Sequence, residues 1–219
     1  MRIRECGDSM LLVEFEPAID PAVNERAIAL ASRLRDRRFP GVRDVAPGYC
    51  TVGVHFDPLQ TDLRGLEAAI ASYTMGFDGI EALPARPPLE IGVHYGGEDG
   101  PDLDAVAALA GCSPAKVIDL HASQTYRVYM LGFVPGFAYM GRVAPQIAAP
   151  RHRMPRERVP AGSVGIAGQQ TGVYPVASPG GWQLIGRTSC VMFDAGRAKP
   201  SLLAPGDLVR FVPLPARVS

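Results

Sequence analysis

Cysteine is scarce in this sequence and is not arranged for metal binding or disulfide pairing. The 219 residues contain four cysteines, and no pair has the Cys-x-x-Cys spacing of a zinc ligand set. They are Cys6, Cys50, Cys112 and Cys190. Zinc sites and small disulfide frameworks both need closely spaced cysteine or histidine residues. The sequence therefore predicts buried, reduced thiols and no metal site.

Net charge and long apolar runs are also absent. Lys+Arg and Asp+Glu number 22 each, so no overall field would draw the chain to nucleic acid or to an anionic membrane. No run approaches the roughly 18 apolar residues of a membrane span, and the amino terminus lacks the apolar core of a signal peptide. We expect no nucleic-acid partner, no membrane partner and a cytoplasmic protein.

The first part of the chain alternates strand and helix patterns. Apolar residues make up 47% of the sequence, which is enough for a buried core. The predicted elements are strands at 10–15, 42–46, 50–56 and 79–83, and helices that begin at Asp20-Pro21 and after Thr61. The order β-α-β-β-α-β is typical of a ferredoxin-like α+β domain, which we predict over residues 1–84.

A proline-rich stretch separates this part from a second one. Three prolines between residues 84 and 88 lack backbone N–H donors and stiffen the chain, so we place a domain boundary there. Beyond it, a strand at 89–95 and two helices precede short segments rich in Val, Ile, Phe and Tyr, with Gly or Pro turns between them. Such a series is typical of a β-barrel or sandwich, so we predict a mainly β domain over residues 89–219.

Glycine, proline and arginine are concentrated between residues 131 and 182. Large apolar side chains accompany them, which is unlike a flexible linker, so we interpret the segment as an ordered loop system that holds a ligand. Its arginines are Arg142, Arg151, Arg153, Arg156 and Arg158. The arginine fork suits carboxylates and phosphates, although a solvated loop or a protein–protein interface would also be rich in arginine.

Other residues near this segment are weaker candidates for chemistry. His121 ends a helix just before the segment, where it could shuttle a proton as a catalytic residue or only complement the helix dipole. The glycine-rich stretch around Gly165 lacks the Gly-Lys-Ser/Thr ending of a phosphate-binding loop. Ser163 lacks the strand-turn-helix setting of a hydrolase nucleophile. Trp182 would either stack on a ligand or plug the end of a barrel.

Several sequence blocks in this region carry a family resemblance. The blocks are His121-Ala-Ser, Gly132-Phe-Val-Pro-Gly-Phe-Ala-Tyr139, Pro150-Arg151, Pro155-Arg156, Val159-Pro-Ala-Gly-Ser-Val-Gly-Ile-Ala-Gly168, Gln170-Thr-Gly-Val-Tyr-Pro175, Ser178-Pro-Gly-Gly-Trp182, Ile185-Gly-Arg-Thr188 and Pro205-Gly-Asp207. Taken in this order, they resemble the KipI/PxpB family, also called allophanate hydrolase subunit 1. The resemblance runs from Gly7-Asp8 to the last predicted strand.

The resemblance implies a ferredoxin-like N-terminal domain followed by a cyclophilin-like β-barrel, without prolyl isomerase activity. Members similar to this chain are the B subunits of the bacterial ATP-dependent 5-oxoprolinase, which form glutamate together with an A protein and a homologous cyclophilin-like C protein. ATP with Mg²⁺ would bind in the assembled complex, the chain would be inactive alone, and it would carry no biotin. Two alternatives are a histidine-kinase inhibitor and a carboxyltransferase-like component of the urea or allophanate route.

The resemblance also implies roles for particular residues. At the Pro-Arg positions of the family, Arg151 and Arg156 would hold the substrate carboxylate or a phosphoryl group. Gln170 and Thr171 would hydrogen-bond the lactam, and Tyr139 would form a wall of the pocket. A lactam must be activated before water opens it, and that step needs positioning and charge stabilisation more than a covalent nucleophile.

Overall fold

The computed structural model of the chain describes residues 1–75 and 87–215. The chain divides into two compact units, Met1–Ala85 and Arg86–Ser219. The domain limits predicted from the sequence, 1–84 and 89–219, stay a prediction, because the connecting residues 76–86 lie outside the described part.

The first unit combines an antiparallel sheet with helices. Its elements, up to residue 75, are β1 (Arg2–Glu5), β2 (Met10–Glu14), α1 (Pro21–Arg37), β3 (Val42–Pro47), β4 (Thr51–Phe56) and α2 (Leu63–Thr74). The strand order in the sheet is β1-β2-β4-β3. Helix α1 begins where the sequence predicts, because the Asp20 carboxylate accepts hydrogen bonds from the backbone N–H groups of Ala22 and Val23. Pro21 supplies the helical φ of the first position.

One apolar core holds this sheet and its helices together. Leu11 and Val13 are completely buried at alternate positions of β2, which is the period of a strand with one covered face. Leu30 and Leu34 lie four residues apart on the buried stripe of α1 and belong to the same core. The sequence pattern predicts β2 and α1 because the apolar residues of each element recur at the period of its secondary structure.

Two details of the first unit differ from the prediction. The sequence does not predict β1, whose residues are mostly charged, and this strand is held by antiparallel pairing with β2 along its whole length. Helix α2 begins after Asp62 and not after Thr61, because the Asp62 carboxylate accepts the backbone N–H of Gly65. The strand predicted at 79–83 lies outside the described residues.

The second unit is built around a closed β-barrel. Its elements are β5 (Leu89–Tyr95), α3 (Leu103–Ala110), α4 (Pro114–Ala122), β6 (Thr125–Leu131), β7 (Ala138–Gly141), β8 (Arg156–Val159), β9 (Ser163–Ala167), β10 (Gln170–Val173), β11 (Ser178–Gly180), β12 (Gln183–Arg187) and β13 (Leu208–Pro213). Within residues 87–215, seven strands close the barrel in the order β10-β7-β6-β13-β5-β12-β9, and β10 pairs with β9 to complete it. The ring confirms the predicted barrel, and closure leaves its strands without a free edge.

Two apolar clusters fill the second unit. The larger one occupies the barrel and the adjoining faces of α3 and α4, with Val93, Val128 and Phe211 completely buried in it. The smaller one contains Phe137, Val159, Ala167, Tyr174, Trp182 and Leu184. Strands β8 and β11 form a separate two-stranded sheet, in which Val159 of β8 belongs to this smaller cluster and Pro179 and Gly180 of β11 line the cavity described next.

The described residues contain neither a membrane helix nor a metal cluster. No helix within residues 1–75 and 87–215 has both the length and the apolar character needed to cross a bilayer. Across the same residues, no group of three or more His, Cys, Asp or Glu side chains lies close enough together to hold a metal ion. The four cysteines are free thiols, but each is half-buried, so the prediction that they are buried is wrong.

Candidate active site

An aromatic cavity of about 280 Å³ opens on the second unit. Five aromatic side chains, one arginine, two prolines and two glycines line it. They are Phe133, Phe137, Tyr139, Arg151, Pro155, Tyr174, Pro179, Gly180, Gly181 and Trp182. All lie in the segment between residues 131 and 182 that the sequence indicates as a ligand-holding loop system. A cavity of this volume suits a small ring, because pockets for larger, drug-sized ligands span about 300 to 1,000 Å³.

Phe137 is the centre of the aromatic wall. Its ring centroid lies 4.8 Å from that of Tyr139, 5.2 Å from Tyr174 and 5.3 Å from Trp182, and each pair meets edge to face. Such pairs attract each other beyond the effect of burial alone. Phe137, Tyr174 and Trp182 are buried, whereas Phe133 is 60% exposed. The wall is therefore rigid on its inner side and open at Phe133.

Two glycines let the backbone approach these rings. A Cβ atom on Gly180 would lie 2.3 Å from the Tyr174 hydroxyl oxygen, a distance at which atoms overlap. A Cβ atom on Gly172 in β10 would lie 3.2 Å from the Phe137 ring and 3.3 Å from the Trp182 ring. These glycines are required by close packing around the cavity, because a side chain at either position would collide with its walls.

Arg151 is the charged residue among those that line the cavity. Its side chain is exposed, and its Cζ atom lies 6.0 Å from the centroid of the Trp182 ring. Within the described residues, no carboxylate forms an ion pair with it. Burial raises the pKa values of Tyr139 and Tyr174, and the Arg151 charge opposes this shift at both. The cavity thus offers neutral phenols and a guanidinium with donors for an anion.

Asp102, the residue before α3, anchors the segment that carries Arg151. It is 6% exposed, and its carboxylate accepts hydrogen bonds from Arg156 Nη2 at 2.7 Å, His152 Nε2 at 3.2 Å and the backbone N–H of Leu184 at 2.7 Å. Burial raises the carboxyl pKa, but these three hydrogen bonds outweigh it and hold the pKa below its ordinary value. Asp102 is therefore an ionised, fully bonded carboxylate at neutral pH.

Two further hydrogen bonds fix the backbone on both sides of Arg151. The Gln183 side-chain amide donates to the carbonyl oxygen of Pro150 at 2.8 Å. The backbone N–H of His152 donates to the carbonyl oxygen of Gly181 at 2.7 Å. Both partners flank Trp182 in the sequence. The loop that carries Arg151 is therefore joined to the chain on both sides of Trp182, which lies between β11 and β12.

His121 lies in the barrel core and does not line the cavity. It is completely buried, and its ring stacks on Phe211 with centroids 4.6 Å apart. The Thr171 hydroxyl donates to the carbonyl oxygen of Gly165, so His121 Nε2 must donate to Thr171 Oγ1, at 2.9 Å. In the neutral ring, Nδ1 then accepts the Tyr95 hydroxyl at 2.8 Å. Burial lowers the pKa of His121 to about 3, so the ring is neutral at pH 7.

The predicted substrate-binding residues fall into separate places. Tyr139 and Arg151 line the same cavity. Arg156 does not line it and is bonded to Asp102.

Gln170 and Thr171 are consecutive in β10, and neither lines the cavity. Thr171 is completely buried and bonded to His121, whereas Gln170 is half-buried. Gly172, the next residue, packs against the aromatic wall. The structure therefore joins His121 and Thr171 to each other but not to Arg151.

Sequence reasoning assigned no role to Asp102 or Phe137. An acid just before a helix suggests an N-cap, yet the Asp102 side chain makes no capping bond. Its side-chain partners are His152, Arg156 and Leu184, which are 50 to 82 residues away in the sequence. No local pattern signals such long-range bonds. Phe137 could have been found only as one of several aromatic residues between glycines.

Comparison with known proteins identifies the relatives of this chain. A family model described as the carboxyltransferase domain, subdomain C and D, matches residues 1–203. The 5-oxoprolinase B subunit of Escherichia coli is 47% identical, over 94% of this chain and 93% of its own length. The Bacillus subtilis protein of the same name is 40% identical, over 96% and 92%.

The comparisons also include longer proteins. The crystal structure of TTHA0988 matches with a TM-score of 0.84 and 37% identity, over all of this chain and 41% of that protein. This chain therefore spans about two-fifths of TTHA0988. Urea amidolyase of Saccharomyces cerevisiae is a more distant relative, 25% identical over 96% of this chain and 13% of its own length. Together with the family model, these matches confirm the resemblance carried by the motifs, and the chain belongs to the KipI/PxpB family.

Proposed function

We propose that this chain is the B subunit of an ATP-dependent 5-oxoprolinase, which converts 5-oxoproline to glutamate together with its A and C proteins. The B subunits of that enzyme are similar to this chain over nearly its whole length. The structural observation that carries the proposal is the cavity, because its aromatic walls and its arginine match a small ring with one carboxylate. Family and geometry therefore favour the same substrate.

The substrate is a five-membered lactam ring that carries one carboxylate. In the proposed complex, the apolar part of the ring packs against Trp182 and Phe137, which lose no flexibility because each is already held by other rings. The carboxylate pairs with Arg151, whose planar fork can donate two parallel hydrogen bonds. Tyr139 walls the cavity as a neutral phenol. This arrangement fixes the orientation of the ring and keeps water from its apolar face.

The cavity does not suit ATP or Mg²⁺. A nucleoside triphosphate carries several negative charges, whereas the described cavity has one cation and about 280 Å³ of space. We therefore assign ATP with Mg²⁺ to other surfaces of the assembled complex, and we expect no biotin on this chain. When bound there, ATP supplies the phosphorylation that activates the lactam carbonyl.

In this proposal, His121 and Thr171 support the cavity by holding the strand that packs against its aromatic wall. The bond between them holds β10 in place, and Gly172 of that strand contacts Phe137 and Trp182. A buried neutral imidazole with both nitrogens bonded is poorly placed to transfer a proton to substrate. We therefore replace the catalytic role predicted for His121 with a positioning role.

Arg156 and Gln170 take indirect or unassigned roles in the proposal. Arg156 bonds to Asp102 and so supports the loop of Arg151 without holding substrate itself. Gln170 remains a predicted partner of the lactam, but its place in β10 outside the cavity lining gives that role no support.

We also propose a specific fold for each unit. We infer a ferredoxin-like domain over residues 1–84, supported by the central strand order β2-β4-β3 and by helices that follow β2 and β4. We infer a cyclophilin-like barrel over residues 89–219, supported by the closed ring of strands. Prolines at the junction agree with this division.

Reconstitution tests the proposed function. We expect glutamate to be released from 5-oxoproline in an ATP-dependent reaction when this cytoplasmic chain is mixed with its A protein and its homologous cyclophilin-like C protein. Mixtures that lack any one component, including this chain alone, should be inactive. An assembled complex without turnover would refute the proposal. Inhibition of a histidine kinase, or activity only with a biotinylated urea-route partner, would then identify one of the two alternatives.

A further inference from the structure

We propose that Asp102 is a positioning residue for the aromatic cavity, because its carboxylate fastens the loop 150–156 to β12 and so holds Arg151 beside Trp182. The inference rests on the proposed function of the cavity as the 5-oxoproline site. Asp102 contacts no residue that is expected to react, so its effect on substrate is transmitted through the loop.

Asp102 is itself held firmly. Its backbone N–H donates to the carbonyl oxygen of Leu184 at 2.9 Å, while its side chain accepts the backbone N–H of Leu184. Its own carbonyl oxygen accepts the N–H of Val106 in the first turn of α3. The carboxylate therefore projects from a fixed point between a helix and a barrel strand. A group fixed in this way can define the position of a mobile partner, which a flexible surface acid cannot do.

Two side chains of the loop are anchored on this one carboxylate, in addition to the hydrogen bonds that join its backbone at Pro150 to Gln183 and at His152 to Gly181. His152 and Arg156 both donate to it, from positions on either side of Pro155, which lines the cavity. Within the described residues, Arg156 Nη1 is buried without a hydrogen-bond partner, so the bond through Nη2 is the one that keeps the guanidinium in place. Without Asp102, the half-buried Arg156 guanidinium would lose its carboxylate partner, and it would move toward water with its backbone.

The same loop contributes little to the apolar cores. Residues 150–156 are exposed or half-buried, and none belongs to a core cluster. Its release should therefore change the position of Arg151 far more than it changes the global stability of the second unit. This difference separates a positioning role from a merely structural one.

Trypsin cleavage of the whole chain measures the loop directly, because Arg151 and Arg153 lie in it. We expect Asp102→Asn to be cleaved at these residues at least about tenfold faster than the native chain, since a charge-assisted bond to a buried group is lost. The urea midpoint of Trp182 fluorescence should change little. Asp104→Asn is the matched control, because Asp104 is an exposed acid two residues away in α3. His152→Gln removes one anchor only and serves if Asp102→Asn does not fold.

Kinetics of the assembled complex link the loop to substrate. Asp102→Asn should raise KM for 5-oxoproline at least about tenfold with a smaller effect on kcat, as Arg151→Gln should. If Arg151→Gln raises KM while Asp102→Asn changes neither KM nor cleavage, the positioning role is wrong and the cavity assignment stands. If Arg151→Gln leaves KM unchanged, the cavity assignment fails, and faster cleavage of Asp102→Asn would then support only the anchoring of the loop.

Discussion

The buried histidine makes the stability of the barrel unit depend on pH in a calculable way. His121 has a pKa of about 3 in the folded chain because burial disfavours its charged form. In an unfolded chain, a histidine has a pKa of about 6.5. Below pH 6.5 the unfolded state therefore binds a proton that the folded state does not. The stabilising effect is complete above pH 6.5 and is lost as the pH falls toward 3.

The size of this loss follows from the two pKa values. Between pH 7 and pH 5, protonation of one unfolded histidine lowers the free energy of unfolding by about 2 kcal/mol, while the folded ring stays neutral. This is a large share of the stability of an ordinary domain, which is about 5 to 15 kcal/mol. His121→Gln cannot become charged, so it should be less stable at pH 7 but should lose about 2 kcal/mol less than the native chain on acidification.

Urea unfolding at pH 7, 6 and 5 tests this prediction. Trp182 is the sole tryptophan and lies in the same unit as His121, so its fluorescence reports the unfolding of the barrel unit. His94→Gln is the control, because the His94 ring is half-buried and bonds the carbonyl oxygen of Pro215. That variant retains His121, so its loss between pH 7 and pH 5 should still include the whole His121 contribution of about 2 kcal/mol. An unchanged pH dependence in His121→Gln would refute the reasoning, since His121 would then be charged or accessible in the folded chain.

Two stability predictions follow from the packing. Phe137→Ala should destabilise the barrel unit by about 3 to 5 kcal/mol in urea unfolding, because it empties the centre of the aromatic wall. Phe133→Ala is its control and should cost less than about 0.5 kcal/mol, because that ring is 60% exposed. Asp20→Ala should destabilise the start of α1 by about 1 kcal/mol through loss of the N-cap. Faster hydrogen exchange of the backbone amides in the first turn of α1 would report this destabilisation. Asp36→Ala is the control, because Asp36 is an exposed acid near the other end of α1, and it should change exchange in the first turn very little. Equal destabilisation by Phe137→Ala and Phe133→Ala would contradict the central place of Phe137 in the wall. Equal exchange rates in Asp20→Ala and Asp36→Ala would contradict the N-cap role of Asp20.

Local patterns were enough to find most elements of the fold. The helix that begins at Asp20-Pro21 is confirmed, because its start signals and its apolar stripe act over one or two turns. The barrel could be predicted because its strands are short, apolar and separated by glycine or proline, and the closed ring of strands confirms it. Strand β1 could not be found in this way, since its charged residues are held by pairing with β2 and not by burial.

The site was only partly predictable for a related reason. Tyr139 and Arg151 were identified by motif, and the structure places them in one cavity. His121 and Thr171 were identified as well, but their side chains turn into the barrel, and the direction of a side chain in a closed barrel depends on register. Asp102 could not be identified, because its bonds join residues far apart in the sequence.

Whether the cavity binds 5-oxoproline is best decided by the KM for 5-oxoproline of the reconstituted complex with Arg151→Gln in this chain. Arg153→Gln is the matched control, since Arg153 is an exposed arginine of the same loop that does not line the cavity. We expect Arg151→Gln to raise KM by roughly 10- to 100-fold, the effect of losing a hydrogen-bonded charge pair, and Arg153→Gln to leave it nearly unchanged. Equal KM values for the two variants would contradict the assignment of the cavity to 5-oxoproline.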